Sequence, residues 1–139
     1  MKQSIVTLLQ SSIQGRVITQ KEYRDFYSVD ASSYQITPKI VIIPKNETDV
    51  INTVKIAKKM KVSVTVRGSG TGLVGSALNY GIILDMREFH SCTIYKNHAT
   101  VGSGTSKGAL DIKLEEKNKF FPPKSSDTLL VCKYSLSLL

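Results

Sequence analysis

Short apolar runs separated by polar turns pattern this chain along most of its length. Ile40 to Ile43 is an unbroken β-branched run closed by Pro44, which predicts a strand buried on both faces. Val62, Val64 and Val66 alternate with other residues and predict a second strand, and Ile82 to Met86 predicts a third. Between the first two, Asn46 and Asp49 have the spacing of a helix N-cap and its partner three residues on. Val50, Val54 and Ala57, flanked by Ile51 and Met60, then form a stripe at helical spacing. Strand, helix and strand over this distance predict a βαβ unit with parallel strands and a right-handed crossover. Upstream, residues 4–13 read as a short helix with Gly15 as its C-cap. Thr19 and Glu22 fit a capping box for a second short helix through Tyr27. Downstream, residues 93–95 and 99–101 predict a hairpin around Lys96 and Asn97. Ser106 to Lys117 has helical spacing in two pairs, Ala109 with Ile112 and Leu110 with Leu114. The expected class is α/β: a small parallel sheet flanked by helices, plus a short hairpin.

Composition narrows the function. A chain of 139 residues, 41% of them hydrophobic, is one ordinary domain with enough apolar mass for a core. No run approaches the ~20 apolar residues of a membrane span, and the first ten residues hold too short an apolar stretch for a secretory signal. Cys92 and Cys132 lack metal-ligand spacing and read as free thiols of a reducing cytoplasm. His90 and His98 are too far apart for a helical pair of metal ligands, so no metal is expected. The net charge of +8 raises the question of nucleic acid. Its densest stretch, Lys55, Lys58, Lys59 and Lys61, contains no aromatic to stack on a base and falls in the last turns of a predicted helix. Those lysines complement the helix dipole, and nucleic acid is not the expected partner.

Residues 67–78 carry the candidate chemistry. Gly68, Gly70, Gly72 and Gly75 come directly after a predicted strand, with Arg67 at the expected mouth of the loop. Glycine reaches positive φ freely and lets a ligand lie against bare backbone. Successive N–H groups in such a loop form a concave nest for anionic oxygens, so the segment reads as a phosphate or pyrophosphate cradle. Gly70 to Gly75 matches G-x-G-x-x-G literally, and Asp85 ends the next strand, as in a dinucleotide-binding fold. Only six residues, Ser76 to Gly81, separate the last glycine from that strand, too few for the crossover helix the fold requires. No Gly-Lys-Ser/Thr occurs, which excludes a Walker A loop. A glycine-rich turn that binds nothing is the remaining alternative. Asp30 and Asp85 are the nearby carboxylates, and both are expected to satisfy backbone donors rather than to act as acid or base.

Several separated motifs occur in one order: Tyr27 to Tyr34, Pro38 to Pro44, Val66 to Gly75 and Gly81 to Met86. From about Tyr23 to Pro123 the chain resembles the amino-terminal part of the FAD-linked oxidases of the vanillyl-alcohol oxidase superfamily. Its nearest resemblance is to the branch that holds the flavin-binding chain of glycolate oxidase and the D-lactate dehydrogenases. The resemblance implies the first subdomain of a PCMH-type FAD-binding domain. It also implies that FAD is held by Arg67, Gly68, Ser69, Gly70, Thr71, Gly72, Leu73 and Gly75, by Gly102, Ser103 and Gly104, and near Pro122 and Pro123. Members with covalent flavin often carry a histidine near this loop; none occurs between Arg67 and Leu78, so a non-covalent cofactor is expected.

Where the family usually reads Pro-Pro-Asp-Pro-Ser-Ser, this chain has Pro122, Pro123, Lys124, Ser125, Ser126 and Asp127. Thr128 to Cys132 replace the family's Thr-Ile-Gly-Gly. Residues 1–127 are therefore expected to be an incomplete FAD-binding domain. Residues 128–139 are expected to be an atypical, poorly packed tail, the trace of a truncation or frameshift. The family's substrate and acid/base residues lie in parts this chain lacks, so no catalytic residue is assigned. Two functions remain open. One is the FAD-binding portion of an oxidoreductase acting on a 2-hydroxy acid such as glycolate or D-lactate, completed by a separately encoded remainder. The other is a non-enzymatic half-domain that binds a nucleotide or a partner chain.

Overall fold

The computed structural model describes residues 4–121 and 135–137. The chain divides into two compact units, Met1–Glu88 and Phe89–Leu139.

In the first unit, strands β1 (Arg16–Ile18), β2 (Ile40–Ile43), β3 (Val64–Arg67) and β4 (Ile82–Asp85) form one sheet in the order β1-β2-β4-β3. β4 pairs in parallel with both β2 and β3, and β1 adds an antiparallel edge. The predicted parallel sheet is present, with β4 inserted between the two strands of the βαβ unit. Alternation along the central strands sends side chains to two faces. Ile40, Ile42, Ile82 and Leu84 pack with Leu9 of α1 (Ile5–Ser12) and Ala57 of α3 (Glu47–Met60). Val41 and Ile83 pack on the other face against Tyr27, just after α2 (Lys21–Phe26). Every residue of β2 and β4 is buried, as two-sided cover requires.

Several local expectations change. Gly15 does not cap α1, whose C-cap is Ile13. Instead the backbone at Gly15 runs so close to β2 that a Cβ there would lie 2.2 Å from the Ile43 carbonyl oxygen. The cap of α2 is Gln20, without a side-chain hydrogen bond, so Thr19 and Glu22 form no capping box. Asn46 does cap α3, accepting from the Asp49 N–H at 2.9 Å. The Asp49 side chain looks the other way and is buried, accepting the N–H groups of Gln14, Gly15 and Lys45 at 2.8–2.9 Å. The buried stripe of α3 is therefore Asp49, Thr53 and Ala57, while Ile51 and Val54 are each 50% exposed. Lys61 ends the helix at φ 54°; its N–H reaches Lys58 and that of Val62 reaches Ala57, a Schellman closure.

In the second unit, β5 (Cys92–Ile94) and β6 (His98–Val101) form the predicted antiparallel hairpin. Strand β7 (Ser135–Ser137) pairs with β6 on its other side; the rest of the tail expected to pack poorly lies outside the described residues. Helix α4 (Lys107–Glu115) is capped by the Ser106 hydroxyl. Leu110 and Leu114 are buried with Ala99 and Val101, whereas Ala109 and Ile112 face outward, so one of the two predicted pairs makes the core.

Candidate functional site

The glycine segment connects β3 to β4, two parallel neighbours, without a helix. It leaves from the carboxyl end of β3, where ligands of parallel sheets gather. Gly70 and Gly75 both take φ +74°, a conformation that disfavours any side chain. Among the described residues, none of the N–H groups from Gly68 to Ser76 donates to a protein acceptor. Gly68, Ser69, Gly70, Gly72 and Gly75 are half-buried, and the residues between them and Ser76 are exposed, so these donors are open to a ligand. This run of free donors is what an anion nest requires.

Two supports hold the loop. The Ala31 N–H donates to the Gly70 carbonyl at 3.0 Å, tying the loop to the turn after Tyr27. At the return to β4, Asn79 Oδ1 accepts from Ser63 Oγ at 2.7 Å and from the Gly81 N–H at 2.8 Å, while its Nδ2 donates to Thr65 Oγ1 at 3.0 Å.

Arg67 does not stand at the mouth of the loop. It is 6% exposed and lies behind the loop, donating to the Val29 carbonyl at 2.8 Å and to that of Tyr27 at 3.4 Å. Its guanidinium carbon is 5.5 Å from the Tyr27 ring centroid, and a Cβ on Gly70 would fall 2.4 Å from its Nη2. Strand alternation explains the inversion: Val66 turns outward, 60% exposed, and Arg67 turns in. Burial lowers the Arg67 pKa, with the Asp30 charge opposing.

Beside it, Asp85 is 2% exposed and accepts from the Tyr27 hydroxyl and from Arg87 Nη2, each at 2.7 Å, and from the Arg87 N–H at 3.0 Å. Burial works to raise its pKa, but these donors, Arg87 first, hold it below the usual carboxylate range. Burial, reinforced by the Asp85 hydrogen bond, raises the Tyr27 phenol. Asp30 Oδ1 accepts from Ser32 Oγ at 2.5 Å and the Ser32 N–H at 2.9 Å. The Ser32 hydroxyl leads in lowering its pKa, with the Ala77 N–H and the Arg67 charge adding to it. Asp30 Oδ2 is buried without a hydrogen-bond partner. Each carboxylate accepts a backbone N–H as expected, that of Ser32 for Asp30 and that of Arg87 for Asp85, and side-chain donors bind beside it. Two carboxylates and two guanidiniums balance here, so the pull on an anion comes from the backbone N–H groups.

The second predicted segment belongs to the other unit. There Gly102 and Gly104 commit their N–H groups to the carbonyls of Ser91 and Phe89, at 2.6 and 2.8 Å, and a Cβ on Gly102 would meet the Phe89 oxygen at 2.2 Å. Ser103, between them, is half-buried. Pro122 and Pro123 lie outside the described residues. Sequence reading missed the Asn79 clamp, the Tyr27–Asp85–Arg87 cluster and the packing of Tyr34 on Gly75. None has a local spacing signal, because each joins residues far apart in the chain or turns on side-chain direction.

The chain belongs to the PCMH-type FAD binding domain family, whose signature matches residues 38–131. It is 34% identical over 126 residues to D-2-hydroxyglutarate dehydrogenase of Escherichia coli K12, covering 86% of this chain and 12% of the dehydrogenase. It is 26% identical over 133 residues to the glycolate oxidase subunit GlcD of the same organism, covering 91% of this chain and 27% of that protein. Among solved structures, wild-type Physcomitrella patens BBE-like 1 matches with a TM-score of 0.73 at 20% identity, over 88% of this chain and 28% of the other. 6-Hydroxy-D-nicotine oxidase from Arthrobacter nicotinovorans matches with a TM-score of 0.75 at 24% identity, over 86% and 27%. These structures share the fold. The chain thus spans about an eighth to a quarter of the length of these curated relatives.

The residues present fit the cofactor of that family. A dinucleotide needs backbone donors for its pyrophosphate, and the free N–H groups of Gly68 to Ser76 supply them on a loop that Gly70 and Gly75 turn at φ +74°. Among the described residues, no helix is long and apolar enough to cross a membrane.

Proposed function

We propose that this chain is the FAD-binding portion of a flavin-dependent oxidoreductase that oxidises a small 2-hydroxy acid: D-2-hydroxyglutarate, glycolate or D-lactate. The observation that carries it is the run of unpaired N–H groups in the loop after β3, in a chain of the FAD binding domain family. The names of its relatives support the substrate class. Bound FAD supplies the redox chemistry, accepting two electrons from the α-carbon of the acid.

The chain's own residues bind and orient. The N–H groups from Gly68 to Ser76 take the pyrophosphate oxygens, with Ser69, Thr71 and Leu73 contributing backbone between the glycines. Arg67, fixed behind Gly70, backs the loop and keeps its shape, while its charge is balanced by the neighbouring carboxylates. Gly102, Ser103 and Gly104 form a second contact, made through Ser103 because the two glycine N–H groups are committed. Pro122 and Pro123 complete the set. No histidine lies between Arg67 and Leu78, which supports non-covalent flavin. The two cysteines, without metal spacing, support a cytoplasmic location. The substrate site and the acid/base residue are assigned to the parts of such an oxidoreductase that lie beyond the segment this chain matches.

The test is to produce the chain with and without the carboxyl-terminal remainder of a glycolate oxidase flavoprotein and measure bound flavin and acceptor reduction. Weak FAD binding is expected for the chain alone. With the remainder, stoichiometric flavin and turnover of a 2-hydroxy acid are expected. No flavin in either preparation overturns the assignment. The second reading, an inactive half-domain that binds a nucleotide or a partner chain, rests on the small share of its relatives that the chain spans. Flavin or partner binding without turnover selects it.

A further inference from the structure

Tyr34 is 60% exposed, yet its position is fixed. Its N–H donates to Ser32 Oγ at 3.2 Å, and that hydroxyl is held by Asp30. Its ring rests on the glycine loop: a Cβ built on Gly75 would come within 3.0 Å of Tyr34 Cδ2 and 3.7 Å of Ser32 Oγ. Gly75, at φ +74°, thus offers bare backbone to the ring edge at one end of the run of free N–H groups. No ring pairing or cation–π contact occupies Tyr34 among the described residues. A broad aromatic face beside a phosphate nest is where a nucleotide places its own ring, one sugar or ribityl chain from its phosphates.

We propose that Tyr34 is the stacking platform for an aromatic ring of the bound dinucleotide, either adenine or isoalloxazine. The inference rests on the glycine loop being the pyrophosphate site. A ring stacked on an aromatic side chain gains an amount that every aromatic heterocycle shares, so Tyr34 raises affinity for the ring-bearing ligand without affecting the phosphates.

The test compares the unaltered chain with Tyr34→Ala, Tyr34→Leu and Tyr34→Phe, titrating pyrophosphate, ADP, FMN and FAD by NMR-monitored binding. Pyrophosphate affinity should stay within about twofold in all four proteins. FAD affinity should fall about tenfold or more for Tyr34→Ala and Tyr34→Leu and stay near the unaltered value for Tyr34→Phe. A matching loss for ADP assigns the ring as adenine, and a matching loss for FMN assigns it as isoalloxazine. The platform is overturned if FAD binds all variants equally, or if pyrophosphate weakens as much as FAD, which makes Tyr34 a support of the loop. If the unaltered chain binds FAD but not pyrophosphate, the loop reading fails on its own. If it binds none of the four, both fall.

Discussion

Replacing Gly70 by alanine tests whether the loop depends on the geometry behind it. The new Cβ would adopt φ +74° and fall 2.4 Å from Arg67 Nη2 and 2.7 Å from its Cζ. The left-handed conformation costs an L-residue about 1–2 kcal/mol. Arg67 is buried and must move, which gives up its 2.8 Å bond to the Val29 carbonyl. A charge-assisted bond of that kind contributes about 1.5–3 kcal/mol. The sum is about 3 kcal/mol, which at an m-value of ~1.5 kcal/mol/M moves the urea midpoint down by about 2 M. Two controls share the chemistry and differ in surroundings. Gly72→Ala meets only the rotatable Ser76 hydroxyl, at 2.8 Å, and should cost under ~1 kcal/mol. Gly108→Ala, in α4 with nothing within 4 Å, should gain up to about 1 kcal/mol from helix propensity. The assay is urea unfolding monitored by far-UV circular dichroism. A Gly70→Ala loss below ~0.5 kcal/mol, or no larger than that of Gly72→Ala, refutes the coupling of Arg67 to the loop.

Asp49, Asp85 and Asp30 have folded pKa values below their ordinary ones, so their contribution is present above about pH 4 and is lost as pH falls through the folded values. For Asp49, burial opposes the shift and the Gln14, Lys45 and Gly15 N–H groups overcome it. Asp49→Asn should cost about 2 kcal/mol near neutrality and flatten the acid limb of a stability–pH curve; an unchanged limb contradicts the assignment. Lys61→Gly relieves φ 54° at the end of α3 and should gain about 0.5–1 kcal/mol in thermal unfolding, after the larger unfolded-state entropy of glycine. In α4, Leu110→Ala should cost about 2–5 kcal/mol and Ile112→Ala, 61% exposed, under ~0.5 kcal/mol; equal losses would mean the wrong face is assigned to the core.

The central strands were legible because continuous β-branched runs leave few alternatives, and Ile40–Ile43 and Ile82–Asp85 are buried throughout. Strand order was not, since inserting β4 between β2 and β3 is a long-range choice with no local pattern. β1 was missed because three residues are too few to show alternation. The buried stripe of α3 holds Asp49 and Thr53 beside the expected Ala57, with Val50 packed at its edge and Val54 exposed, because polarity hides the first two in the sequence. Asp49 is inward because it binds three backbone donors, and Thr53 Oγ1 donates to the Asp49 carbonyl at 2.7 Å, so both bury without an unpaired group. The glycine loop was legible from its composition and from the short distance between Gly75 and β4, which leaves no room for a helix. The direction of Arg67 was not, because hydropathy predicts Val66 inside and Arg67 outside, the reverse of the arrangement observed.

The central claim is that the backbone N–H groups after β3 bind pyrophosphate. Amide NMR shifts of the ¹⁵N-labelled chain, titrated with inorganic pyrophosphate, test it most directly. Saturable shifts concentrated at Ser69 to Ser76 are expected, abolished in a folded Gly70→Val variant. Saturable shifts elsewhere with these amides unmoved, or no shifts at all, would contradict it.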